Sequence, residues 1–256
     1  MDSLQSYTLA MNTTRFSIIV PVLHESDKIN FLIGHINSLE CSEEVEVVVV
    51  DGSAGGDTIE AIKSEGVIKL RSEKGRGKQM NAGASVAGGE ILIFLHADTE
   101  LPAGAFAKID AAMKHEKYVG GAFELRIKSE KFLYRLLARL ASIRCRLTKI
   151  PYGDQAIFIR SNYFKRIGGF KEIPLMEDVE LMRRIKRIGD KIWILKDHVS
   201  TSARRWNEEG FFFGLLRNAI LFVLYILGVS PHRLARFYKN EYKDSRVLIQ
   251  DSNYSK

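Results

Sequence analysis

Four short apolar runs, rich in β-branched residues and separated by helical segments, set the strongest limit on how this chain folds. Phe16–Val22 (FSIIVPV), Glu46–Val50 (EVVVV), Val67–Leu70 and Glu90–Leu95 (EILIFL) read as strands. Between them, Asp27–Leu39 carries Ile29, Leu32, Ile33, Ile36 and Leu39 at helical spacing. Asp57–Glu65 reads as a second helix, and Lys74–Ala87 as a Gly-rich turn opening a third. Continuous apolar strands alternating with helices predict a Rossmann-like parallel sheet covered on both faces, since a half-exposed strand would alternate with polar residues. Ligands of such sheets sit at the carboxyl ends of the strands. Asp51 and Asp98 follow two of those ends.

Beyond Pro102 the pattern changes. Val119–Ile127 and Lys191–Leu195 read as strands, Ser161–Ile167 and Glu177–Ile188 as helices. Lys131–Leu147 is a basic amphipathic helix, with Lys131, Arg135 and Arg139 opposed by Phe132, Leu133, Leu136, Leu137 and Leu140. Charge shifts along the chain as well. The 256 residues carry 38 Lys and Arg against 31 Asp and Glu, a net of +7. Residues 1–125 hold 11 basic and 18 acidic side chains, whereas residues 126–256 hold 27 and 13. So large a step predicts different partners for the two halves: an anionic substrate, an anionic membrane surface and nucleic acid each suit the basic one.

Composition narrows the classes further. An aromatic content of 10% with 46% hydrophobic residues excludes global disorder. Cys41 and Cys145 are too few for a disulfide framework or a four-cysteine zinc site, which suits a reducing compartment. Residues 1–14 lack the pattern of a secretory leader. Phe211–Val229 is the most apolar stretch, but Arg217 and Asn218 interrupt it. The clean run Ala219–Val229 falls short of the roughly 20 residues a membrane span needs.

Four clusters are candidates for chemistry. Lys74-Gly75-Arg76-Gly77-Lys78 is not a P-loop, because Ser72 stands at the required first glycine and Gln79 at the Ser/Thr. Met80 in place of a third glycine excludes a dinucleotide fingerprint. A cationic loop opening a helix remains, suited to a diphosphate or simply a solvated turn. Asp98, in His96-Ala97-Asp98, is either a turn residue or a carboxylate holding a divalent metal against two phosphates. Glu177-Asp178 opens a helix, as a cap or as a catalytic base. Arg204-Arg205-Trp206 is a basic turn, or a phosphate clamp with an aromatic platform for a sugar.

In this order the sequence resembles a family 2 glycosyltransferase of the GT-A fold. SIIVPVLHE, VVVVDGS, RGKQMNAGA, IFLHADT and LMEDVELMRRIKRIG match family elements from about Arg15 to Trp206, with ARRW behind. The similarity is greatest to a small bacterial non-processive branch with a TSARRW-type motif. It implies a mixed, mainly parallel α/β sheet flanked by helices and a helical C-terminal extension. A GT-A domain is expected over 15–210, divided into a nucleotide-sugar half (15–101) and an acceptor half (102–210). An apolar and basic helical segment (211–240) and a flexible tail (241–256) would follow.

The resemblance also implies roles. Pro21, Glu25, Asp51, Arg76 and Lys78 would bind the nucleotide. Arg204, Arg205 and Trp206 would face the diphosphate and acceptor. Asp98 would hold Mn2+ or Mg2+, with His96 and His198 as further candidate ligands. Asp178, beside Glu177, would be the catalytic base. Departures from the family pattern are His96 for the first Asp of DxD, Leu23 and His24 where an aromatic and Asn are common, and Ser202 for Gln in QxxRW. The last argues against a processive polymerase.

The expected reaction is inverting transfer of a sugar from a nucleotide sugar, a UDP-sugar, to an acceptor hydroxyl. The acceptor would be lipid-linked or anionic, no nucleic acid would bind, and the enzyme would be cytoplasmic and peripheral on the inner face of the membrane. For the apolar segment, docking on anionic lipid competes with a core or dimer helix. Two other functions stay open: a sugar-phosphate nucleotidyltransferase, although VLHESDK lacks that class's glycine signature, and a non-catalytic sugar-nucleotide or nucleic-acid module.

Overall fold

The computed structural model describes residues 14–41, 43–204 and 210–236. Four parallel strands open the chain: β1 (Phe16–Val22), β2 (Val45–Asp51), β3 (Val67–Arg71) and β4 (Ile91–Phe94). Helices α1 (Ser26–Ser38), α2 (Asp57–Glu60) and α3 (Arg76–Val86) connect them. Pro21 lies two residues beyond the last β1 pair with β4, Ile19↔Phe94, so its missing N–H takes nothing from that ladder.

The remaining strands are β5 (Thr99–Glu100), β6 (Tyr118–Lys128), β7 (Ile157–Arg160) and β8 (Lys191–Ser202). They complete an eight-stranded sheet in the order β3-β2-β1-β4-β7-β6-β8-β5. β7 runs antiparallel between β4 and β6, while β6 and β8 are parallel to each other. Helices α4 (Ala105–Met113), α5 (Phe132–Thr148), α6 (Ser161–Arg166), α7 (Glu177–Ile188) and α8 (Phe211–Ile226) belong to this half. The fold is thus a mixed α/β sheet flanked by helices, as the family resemblance implies; the antiparallel β7 departs from the wholly parallel sheet that periodicity alone suggests.

Several elements differ from expectation. α2 stops at Glu60 rather than Glu65, and β8 runs on to Ser202 rather than ending at Leu195. β6 and β5 flank β8 on its two sides, and this pairing carries it through the polar stretch after Leu195. β5, β7 and α4 are additions, although Ala105, Phe106, Ile109, Ala112 and Met113 of α4 do have helical spacing.

Each face of the sheet carries its own apolar core. One lies under α1, α2, α4 and α5, around Phe16, Phe106, Phe123 and Phe158. The other lies under α3, α6 and α7, around Ile19, Val50, Phe94 and Phe170, with Phe222 and Tyr225 of α8 at its edge. Among the described residues, no helix is long and apolar enough to cross a membrane.

Candidate active site

Three loops meet at the carboxyl ends of β1, β2 and β4. After β1 the chain turns through His24, whose left-handed φ of 57° is unusual for a residue with a side chain. Its ring nitrogen Nδ1 lies 3.0 Å from Asp57 Oδ2. The backbone N–H of Glu25 donates to Thr58 Oγ1, tying the β1 and β2 loops together. The Glu25 carboxylate accepts from Lys28 at 2.7 Å and from Arg204 at 3.3 Å. The first-strand motif and the C-terminal motif are therefore in contact across the whole domain.

Asp51 ends β2 and is fully buried. Its carboxylate accepts the N–H groups of Ser53 (2.8 Å), Thr58 (3.0 Å) and Ile59 (3.3 Å), so its charge organises the turn and the start of α2. Asp57 accepts from the Ser53 hydroxyl at 2.7 Å, and that bond, followed by the one with His24, holds its carboxyl below the usual range.

α3 is wedged between the sheet and the loop before α7. A Cβ on Gly83 would stand 2.5 Å from Ile19 Cγ2, and one on Gly77 would stand 2.6 Å from the Lys171 carbonyl oxygen. Only glycine allows that approach. The buried Gln79 donates to the Val22 and Val50 carbonyls at 2.7 and 2.8 Å, locking α3 to the ends of β1 and β2. Asn81 pairs with both backbone groups of Phe170. The predicted diphosphate cations lie at the start of this fixed helix: Lys78 pairs with Glu73, and half-exposed Arg76 is 3.9 Å from Glu177.

The third loop is His96-Ala97-Asp98 after β4. A tight turn over Gly153–Gln155 precedes β7, whose first residue Ile157 faces Phe94 at the end of β4. A Cβ on Gly153 would stand 3.0 Å from His96 Nε2 and 3.5 Å from Asp178 Oδ2, so imidazole and carboxylate flank one glycine. The Gly153 N–H donates to Asp178 Oδ2 at 2.6 Å, and the Val179 N–H to Oδ1 at 2.7 Å. Met176, with φ 68°, turns the chain into α7. Burial first, and then the neighbouring Asp178 charge, push the Glu177 carboxyl up to about 7, with Arg76 opposing.

The other predicted residues are more scattered. Asp98 is half-buried, and its backbone carbonyl accepts from the Ser202 N–H. His198 stands opposite Glu124 in the β6–β8 register, its ring 3.6 Å from a buried carboxylate that also binds Arg146. Among the described residues no three His, Cys, Asp or Glu side chains gather as a metal-holding group. Asp98 nevertheless suits Mg2+ or Mn2+ as one hard oxygen ligand, with phosphate oxygens and water completing the sphere. Arg205 and Trp206 lie outside the described residues. Sequence reasoning missed Gln79 and Gly153; the only local signal for Gly153 was a Gly-Asp-Gln turn before the apolar IFIR run.

The model of glycosyl transferase family 2 matches residues 17–171, ending before Glu177. No curated protein matches the chain. A crystal structure of S. aureus TarS 1-349 superposes with a TM-score of 0.59 at 19% identity, covering 82% of this chain and 66% of that one. Its complex with UDP-GlcNAc gives 0.57 at 16%, covering 74% and 58%. Mannosyltransferase PcManGT from Pyrobaculum calidifontis, in complex with GDP-Man and Mn2+, gives 0.57 at 21%, covering 74% and 57%. At these identities the likeness is one of GT-A fold, and this chain spans two thirds or less of each structure's length.

Proposed function

We propose that this chain, which belongs to glycosyl transferase family 2, moves a sugar from a nucleotide-sugar donor to an acceptor hydroxyl with inversion at the anomeric carbon. The observation that carries the reading is the Asp178 carboxylate, fixed by the Gly153 and Val179 N–H groups beside His96 at the carboxyl end of β4. Those two donors orient the carboxylate and leave lone pairs on both oxygens for a proton. Glu177 lies beside it with its carboxyl pushed up to about 7 by burial and by the Asp178 charge, and the proton it retains keeps a second negative charge away from the base.

Residues 15–101 take the donor and 102–210 the acceptor. Pro21, Glu25 and the turn organised by Asp51 frame the nucleoside, a uridine by family resemblance. As the acceptor oxygen attacks the anomeric carbon, its proton passes to Asp178. The bond from that carbon to the phosphate oxygen breaks on the opposite face, and the electron pair leaves with the diphosphate. Arg76 and Lys78 stand where that charge grows, and Arg204 with Arg205 supplies further guanidinium groups. Trp206 offers a platform for a sugar ring. Asp98, with His96 or His198 as further ligands, would hold Mn2+ or Mg2+, which supplies Lewis-acid stabilisation of the leaving diphosphate.

A thermal-shift screen of UDP- and GDP-sugars with and without Mn2+ tests donor binding. We expect a UDP-sugar to raise Tm and Asp98→Ala to remove the metal-dependent part of that rise. No shift with any sugar nucleotide would refute the donor assignment.

A further inference from the structure

Helices α5 and α8 turn their large apolar side chains outward. On α5, Phe132, Leu133, Leu136, Leu140, Ile143 and Leu147 are all exposed, Leu147 at 78%. At about 100° per residue they occupy one arc of the helix. The core side of α5 is a different arc, Tyr134, Ala138, Ser142 and Cys145. Arg135, Arg139 and Arg146 lie on the ridge between them.

α8 is more extreme. Phe213, Leu215, Leu216, Ile220, Val223 and Ile226 are exposed, whereas its one charged residue, Arg217, is 6% exposed. Water does not favour an outer face this apolar, and so large a patch marks an interaction site.

The two helices pack on opposite faces of the sheet but meet at Tyr152. Arg144, bordering the outward arc of α5, stacks 3.7 Å over the Tyr152 ring. Phe222, bordering the outward arc of α8, lies 6.1 Å from the same ring. Neither segment 131–153 nor segment 210–236 contains an Asp or Glu, and together they carry nine Lys and Arg. Among the described residues Arg126, Arg135 and Arg139 form no ion pair.

The geometry points to a lipid-docking face: α5 lies in the plane of an anionic bilayer, its apolar arc among the acyl chains and its arginines at the headgroups, with α8 joining the margin of that face beside Tyr152. Charge decides against a second copy of the chain, since a symmetric pairing would set arginine ridges against each other with no carboxylate in either segment to neutralise them. Length supports lying rather than spanning: the 16 residues of α8 reach about 24 Å against a hydrocarbon core of about 30 Å. Apolar area and basic residues act together in such docking. The inference stands apart from the sugar-transfer chemistry.

Co-sedimentation of the full chain with phosphatidylglycerol/phosphatidylcholine vesicles, beside pure phosphatidylcholine vesicles, tests it. The chain should pellet with the anionic vesicles and much less with the neutral ones, and salt should release it. Arg135→Gln with Arg139→Gln should weaken binding about thirty-fold. Leu140→Glu with Ile143→Glu should abolish it, with circular dichroism and Tm unchanged because those side chains do not pack in the core. Absence of binding to anionic vesicles overturns the proposal, as does equal binding by wild type and both variants. A dimer in sedimentation velocity that Leu140→Glu with Ile143→Glu dissolves, without vesicle binding, assigns the face to a second copy instead.

Discussion

α7 and α5 are built from nearly the same ingredients, arginine-rich helices with large aliphatic residues at helical spacing, yet they use them in opposite ways. α7 buries Val179, Leu181, Met182 and Ile185 against the sheet and leaves Ile188 outside. α5 shows the solvent six large apolar residues and packs through Tyr134, Ala138, Ser142 and Cys145, with Leu137 at the edge of the core. Small residues let α5 lie close to β6 while its larger side chains turn outward. α7 also bears the proposed base: Glu177 and Asp178 occupy its first turn, where the helix dipole favours negative charge. Amphipathicity therefore announces two faces without saying which one the protein keeps for itself.

Substitutions in the two helices should separate these roles. The largest effect is expected at Asp178→Asn, which should lower transfer by about 10²–10⁴-fold, as loss of a general base does. Donor affinity in calorimetry should stay within about twofold, since Asn keeps an oxygen for one N–H donor. Retained turnover would sink the base assignment. Ile185→Ala should cost about 2–5 kcal/mol in urea unfolding, because it opens a cavity in the core beneath α7.

Glu177→Gln should act through pH. The folded protein holds the Glu177 proton up to about pH 7, whereas the unfolded chain releases it near 4.5. Stability therefore falls as pH rises through that window, by up to about 3 kcal/mol. The Gln variant should lack this slope and be the more stable protein at pH 8; parallel stability–pH curves for the two proteins would contradict the raised carboxyl. The smallest effect belongs to α5. Leu140→Ala should change stability by less than about 0.5 kcal/mol, as expected for an exposed site. A loss matching that of Ile185→Ala would mean that the α5 stripe is covered in solution.

The donor half of the fold was the more legible. β1 begins and ends where its apolar run does, and β2 falls within a residue of its own, because strands buried on both faces write a continuous signal; the edge strand β3 matches as closely although much of it is exposed. β7 went unread although it is buried as fully: the four residues Ile157–Arg160 are too few to stand out by themselves, and it is β4 and β6 that hold them on both sides as a strand. Within the site, Asp178, Asp98, Arg76 and Glu25 were visible as charged residues at strand ends and helix starts. The partner that fixes Asp178 was not, because Gly153 contributes only a backbone N–H.

By itself the sequence determined the type and order of most elements, since helix and strand periods are local. It also placed the charged residues at the loops that close the parallel strands. The tertiary structure decided what joins those loops. Glu25 meets Arg204 across 179 residues, Gly153 meets Asp178 across 25, and Gln79 ties α3 to two strands. It also decided which side of α5 and α8 faces outward. Period fixes the faces of a helix, but only packing against β6 or the second core selects among them, and that choice rests on contacts between residues far apart in the chain.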